Sequence, residues 1–298
     1  MVMNVGFIGI GIMGKPMSRN LMKHGFKLTV TDVNEAAVRE LVQEGACGAA
    51  SPVEVARESD IIITMLPNNA IVRSVILGEN GIVQGAKPGT IVVDMSSVSP
   101  VVSREVAAAL EERGLHLLDA PVSGGEPKAI DGTLAIMVGG EESIFKKAEP
   151  VLAAMGKDIT LVGGSGCGSI AKLANQIIVN VNIAAMSEAF VLAAKAGIDV
   201  EKMYQAIRGG LAGSTVLDAK APLILARSFE PGGRIDINMK DLTNVMETAD
   251  DEGMQLPLTS HVLGMFRSLV EDGKQGLDHG ALVQYYEKLT DTIVEKRK

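Results

Sequence analysis

Tryptophan is absent from the 298 residues, aromatic residues make up only 3%, and there are just two cysteines, Cys47 and Cys167. Two thiols are too few for a disulfide framework or a four-thiolate zinc site, and they fit a reducing cytoplasm. The histidines, His24, His116, His261 and His279, are scattered without metal-ligand spacing, and no HExxH or paired-cysteine motif occurs, so no metal is expected. A basic excess is also missing. Lys+Arg 28 against Asp+Glu 36 leaves a net charge of −8, and neither half of the chain is basic. With few stacking platforms as well, nucleic acid is excluded as a partner. No apolar run reaches the ~18 residues of a membrane span. The opening MVMNVGFIGIGIMG has no Lys or Arg before Lys15, so it is read neither as a secretory leader nor as a membrane anchor.

What is present is core-forming material, 47% hydrophobic residues with fifteen methionines, in a chain long enough for two domains. Up to about residue 163, β-branched runs recur at 4–10, 27–32, 60–66, 90–95, 115–119, 133–139 and 158–163, and they read as strands. Helical stretches separate the early ones, two of them starting at the N-cap candidates Asn34 and Ser99. The alternation predicts an α/β fold, a Rossmann-type doubly wound sheet over residues 1–163. From 169 to 197 the chain lacks proline and glycine until its last residue, which predicts one long helix. Helical periods at 199–208, 214–226, 240–252, 258–272 and 280–296 then predict an all-α domain over 164–298, ending in a solvated basic tail, Lys296 to Lys298.

The first strand runs into Gly9-Ile10-Gly11-Ile12-Met13-Gly14 and then a helix. In that context Gly9 permits a tight turn, Gly11 lets backbone approach a pyrophosphate, and Gly14 lets the helix lie close to the sheet, with Ile12 and Met13 completing the loop. Asp32 closes the second strand 18 positions beyond Gly14, where a carboxylate can accept both hydroxyls of an adenosine ribose. A carboxylate repels a 2′-phosphate, and Val33 follows it rather than arginine, so NAD(H) is the preferred cofactor, with NADP(H) as the second option.

Met65-Leu66-Pro67, Asp94 to Ser97 and Asp119 to Gly125 each follow a strand and are candidate rim loops. Ser123, Gly124 and Gly125 suit a carboxylate, although SGG by itself is more often just a flexible turn. Lys172 and Asn175 lie three apart on one face of the long helix. A desolvated lysine there suits general acid/base work, and Asn175 suits orientation of a substrate hydroxyl, while a snorkelling lysine beside an asparagine is the plain alternative. Lys240-Asp241 reads as an ordinary exposed helix start.

Four ordered motifs, FIGIGIMGKPMSRNL, DAPVSGG, GxGxxxKLAN and the KDL at 240–242, resemble those of the β-hydroxyacid dehydrogenase family over nearly the whole chain. The resemblance implies Lys172 as proton donor and acceptor, Asn175 as substrate orienter, Ser123, Gly124 and Gly125 as the carboxylate site, and Ser96 and Lys240 near the nicotinamide. Segments such as ITMLPN and GLAGSTVLDAKAP are most similar to the branch of the family that acts on tartronate semialdehyde. The implied activity is its NAD(P)H-dependent, reversible reduction to glycerate by a cytoplasmic homodimer or homotetramer. The rivals are a 3-hydroxyisobutyrate dehydrogenase, a succinic-semialdehyde or glyoxylate reductase, and a non-catalytic NAD(H)-binding regulator.

Overall fold

A computed structural model describes residues 3–296; Arg297 and Lys298 of the basic tail lie outside them. The strands are β1 (Asn4–Ile8), β2 (Lys27–Thr31), β3 (Cys47–Gly48), β4 (Ile61–Thr64), β5 (Ile91–Asp94), β6 (His116–Asp119), β7 (Val122–Ser123), β8 (Leu134–Gly139) and β9 (Gly156–Gly163). They form one sheet in the order β3-β2-β1-β4-β5-β6-β8-β7, with β9 also paired to β8. The stretch from β3 to β6 is parallel, while β8 runs antiparallel to β6 and β7. The accompanying helices are α1 (Gly14–Lys23), α2 (Glu35–Gln43), α3 (Pro52–Arg57), α4 (Asn69–Leu77), α5 (Pro100–Glu111), α6 (Gly125–Asp131) and α7 (Glu142–Ala153). Then follow α8 (Cys167–Lys195), α9 (Val200–Ile207), α10 (Thr215–Leu225), α11 (Ile235–Asp251), α12 (Pro257–Glu271) and α13 (Val283–Thr290).

Strand alternation sends Phe7, Ile61, Ile63 and Val93 to one face, where they pack with Met17, Leu21 and Leu41 of α1 and α2. Ile8, Ile62 and Val92 point to the other, against Val55, Ile76, Val102 and Val106 of α3, α4 and α5. Both faces being covered explains why strands such as Ile61–Thr64 are apolar throughout instead of alternating. Helix starts follow local chemistry. The Asn34 side chain accepts from the Ala36 and Ala37 N–H groups, Asn68 caps α4, and Ser99 caps α5 with Pro100 in the first helical position.

The chain divides into two compact units, one ending at Lys172 and the other starting at Leu173. This division lies beyond the expected domain boundary at 163/164, on the first turns of α8, which are bonded to the sheet through Asp119. Helix α8 is long and apolar enough by length and hydropathy to cross a membrane. Its Leu173, Ile183, Met186 and Phe190 are instead buried in the core of the second unit. Two short strands, β3 and β7, escaped the sequence pattern because two residues carry no periodicity. The helix expected from 240 begins at Ile235, which is fully buried beside the bridge between Arg234 and Asp278. The segment 280–296 is helical only as a short turn over His279–Leu282 followed by α13.

A buried carboxylate organises the second unit. Asp278 accepts from Lys220 Nζ at 2.9 Å and from the Gly233 and Gly280 N–H groups at 2.9 and 2.8 Å. Burial alone would push its carboxyl up; the neighbouring His279 and the Lys220 ammonium outweigh that and hold it below the usual carboxylate range. A depressed folded-state pKa contributes stability that is present above the unfolded value and lost as pH falls through the folded one. Asp278→Asn should therefore lose about 3–5 kcal/mol at neutral pH, as expected when a buried pair loses one partner. Its denaturant midpoint should depend less on pH below about 4 than that of the parent; equal acid slopes would disprove the assignment.

Candidate active site

In the N-terminal unit, Thr31, Ile8, Thr64, Asp94 and Asp119 are register neighbours in one line across β2, β1, β4, β5 and β6. The loops that follow these parallel strands consequently leave at one edge, and the strand order reverses between β1 and β4, where open sheets bind ligands. Gly9 turns the chain out of β1 with φ +95°, and a side-chain Cβ there would stand 2.3 Å from the Met65 carbonyl oxygen. At Gly14 a Cβ would stand 2.0 Å from the Gly9 oxygen, so α1 starts hard against the loop. Gly11 differs, having no atom within 4 Å of its Cβ position, and next to it Ile12 is exposed and Met13 half-buried. Helix α1 has no side-chain cap and no acidic residue in its first turn. Open space over Gly11 and an uncapped helix start with its positive dipole fit a dinucleotide pyrophosphate.

The Asp32 carboxylate accepts from the Ile10 N–H at Oδ2 and from the Asn34 N–H at Oδ1, both at 2.7 Å. Each oxygen retains a further lone pair, so the carboxylate is held at the loop and still able to accept hydroxyls. Val33 beside it is fully exposed. At the next strands, the Leu66 N–H donates to Ser96 Oγ at 2.8 Å. Ser96 is itself fully buried, and the Asp94 carboxylate receives its N–H at 3.2 Å and the Thr64 hydroxyl at 2.8 Å. The Ser96 hydroxyl faces inward, where its bond to Leu66 holds the turn that leads to exposed Pro67.

Ser123 ends β7, and the chain turns into α6 through Gly124 and Gly125, whose φ values of +135° and +68° exclude side chains. Lys172 Nζ donates to the Val122 carbonyl oxygen at 2.9 Å, which sets the lysine beside this loop. The residue that brings them together has no role assigned by local pattern beyond its place in a rim loop. Asp119, 1% exposed, accepts from the Gly166 N–H at Oδ1 and from the Ser169 N–H at Oδ2, both at 2.8 Å. Burial pushes its carboxyl above the ordinary range, against the opposing effect of those N–H bonds. Its signal was available: an acid at a strand end opening DAPVSGG.

In the C-terminal unit, Asn175 Oδ1 is buried without a hydrogen-bond partner, an acceptor left for a ligand donor. Gln176 Nε2 donates to Asp241 Oδ2 at 2.6 Å, and Lys240 Nζ lies 3.0 Å from Asp241 Oδ1. Lys240 and Asp241 are thus no exposed helix start. Asp241 is 2% exposed, because α11 begins five residues earlier than periodicity indicated. Among the described residues no group of three or more His, Cys, Asp or Glu side chains could hold a metal.

Residues 4–164 match the family described as the NAD binding domain of 6-phosphogluconate dehydrogenase. Residues 166–286 match the NAD-binding family of NADP-dependent 3-hydroxyisobutyrate dehydrogenase. The chain belongs to the 3-hydroxyisobutyrate dehydrogenase-like β-hydroxyacid dehydrogenases. It is 43% identical to 2-hydroxy-3-oxopropionate reductase of Escherichia coli (strain K12), over 97% of this chain and 99% of that one. It is 39% identical to 2-(hydroxymethyl)glutarate dehydrogenase of Eubacterium barkeri, over 97% of each. A solved structure of Mycobacterium tuberculosis 3-hydroxyisobutyrate dehydrogenase with L-serine superposes with a TM-score of 0.88 at 33% identity, over 96% of this chain and 99% of that one. This β-hydroxyacid dehydrogenase is accordingly an NAD(P)-dependent oxidoreductase.

The loop geometry separates two glycine roles. Gly9→Ala should destabilise the fold, since its Cβ would meet backbone. Gly11→Ala should melt within about 1 °C of the parent yet bind NADH at least about tenfold more weakly in a fluorescence titration. Unchanged binding by Gly11→Ala would remove the loop from the cofactor site.

Proposed function

We propose that this oxidoreductase reduces tartronate semialdehyde (2-hydroxy-3-oxopropionate) to glycerate, reversibly, with NAD(H) preferred over NADP(H). The observation that carries the reading is the Lys172 ammonium held beside the Ser123-Gly124-Gly125 loop through Val122. An acid and a carboxylate-sized turn are then neighbours, as an aldehyde acid requires. The name of the Escherichia coli relative at 43% identity supports the substrate.

When bound, the nicotinamide cofactor supplies the hydride. Gly9, Gly11, Ile12, Met13 and Gly14 would hold its pyrophosphate, Asp32 its adenosine ribose, and Leu66, Pro67, Ser96 and Lys240 the rest. Ser123, Gly124 and Gly125 take the substrate carboxylate, and Asn175 Oδ1 accepts a substrate hydroxyl. Lys172 stands at the carbonyl oxygen as negative charge grows there, stabilises it and gives it a proton. In the reverse direction the neutral amine takes that proton back. Asp32 favours NAD(H) because its carboxylate repels a 2′-phosphate.

Ala174, Ile178, Ala185, Ala189 and Leu192 form an exposed apolar stripe along α8 at helical spacing. Such a face supports association with further copies of the chain, as a homodimer or homotetramer, which light scattering at assay concentration would refute by reporting a monomer.

Lys172→Ala should lower kcat by about 10² to 10⁴ with folding and NADH affinity retained. The deciding assay compares kcat/KM for tartronate semialdehyde and methylmalonate semialdehyde, with NADH and NADPH in parallel. Preference for the second aldehyde would overturn the substrate and leave the lysine; preference for NADPH would overturn the role of Asp32.

A further inference from the structure

The lysine proposed as the acid is placed by contacts that begin six residues before it, at Gly166. Helix α8 starts at Cys167, and its first turn meets the sheet at the end of β6. Both oxygens of Asp119 are engaged there, one by the Gly166 N–H and the other by the Ser169 N–H. The Ser169 hydroxyl lies 2.9 Å from that of Ser103 on α5, a second tie to the same turn. The approach leaves no slack. A Cβ at Gly168 would stand 2.2 Å from the Asp119 carbonyl oxygen and 2.5 Å from that of Met137, and one at Gly139 would stand 2.5 Å from Asp119 Oδ1. Asp119 also heads the segment that continues through Val122, the acceptor of Lys172, to Ser123. One residue therefore fixes the start of the helix that carries the lysine and the start of the loop that faces it.

We infer that Asp119 is a positioning residue for the reaction, setting the height of α8 on the sheet so that the Lys172 ammonium meets the carbonyl oxygen of a substrate held at Ser123-Gly124-Gly125. This rests on the proposed role of Lys172. Asp119 is 1% exposed and works through two backbone N–H groups. A carboxylate suits the place because it accepts on both oxygens, whereas an asparagine would turn an N–H₂ towards one of the two donors. Lys172 lies one helical turn beyond Ser169, so a shift of the anchored turn is transmitted to the ammonium with little attenuation.

The test uses the full-length enzyme, with tartronate semialdehyde and either NADH or NADH deuterated at the transferred position. Misplacement by about 1 Å costs on the order of a hundredfold in rate. Asp119→Asn should accordingly lower kcat about 10²-fold, with NADH affinity within about twofold of the parent, and the deuterium effect on kcat should rise as the chemical step becomes limiting. A loss of folded enzyme alone would reduce the measured rate and leave the isotope effect where it was. Ser169→Ala keeps the backbone bond to Asp119 and removes only what the hydroxyl contributes at Ser103 and Asp119, so it should fold and lose about three- to tenfold in kcat with the same rise in isotope effect. If Asp119→Asn does not fold, Ser169→Ala decides. Parental kcat and isotope effect in whichever variants fold would overturn the inference. Lys172→Ala run alongside separates the two claims: full activity there would overturn the role of the lysine, and loss there with parental Asp119→Asn would overturn only the positioning role.

Discussion

A buried carboxylate at the end of β6 is the constraint on which the candidate site depends. Asp119 has lost nearly all its solvent, and what replaces water is a pair of N–H groups at the start of α8. A buried acid left without such partners would cost several kcal/mol, so helix and strand are held as one piece. Glycine at 139 and 168 is the steric complement, since a methyl group at either position would push the helix off the sheet. Because the anchor lies within two turns of Lys172, the rigidity of the sheet is passed to an otherwise mobile side chain.

The same device recurs along that edge. Asp94 takes the Thr64 hydroxyl and the Ser96 N–H, and Ser96 in turn takes the Leu66 N–H. Asp32 takes the Ile10 and Asn34 N–H groups. Three acids at or just beyond three strand ends thus spend acceptor capacity on loop backbone, and the loops emerge in fixed shapes. In the other unit Asp278 does likewise for the segment before α11, and Asp241 joins Lys240 to Gln176 on α8. Rigid elements carrying pre-shaped loops are what a site must offer if catalysis is to come from placement rather than from rearrangement.

Much of this was legible in the chain. Period-two and buried β-branched runs marked the seven longer strands, and the glycine spacing placed the turn after β1, because both signals are local and backbone geometry enforces them. The lysine and the SGG loop were each visible, yet residue types alone left both open. Their proximity depends on Lys172 meeting a carbonyl fifty positions earlier, and no periodicity records such a distance. The inward turn of Ser96, the burial of Asp241 and the early start of α11 were hidden for the same reason.

The sequence by itself determined the α/β-then-α order, the dinucleotide loop and the family, since these follow from local spacing and motif order. Only the tertiary structure decided that Asp119 anchors α8, that the boundary between compact units falls at Lys172, and that Ser96 supports Leu66 from within. Those outcomes turn on which buried polar groups find partners across the fold, and that pairing is set by packing in three dimensions.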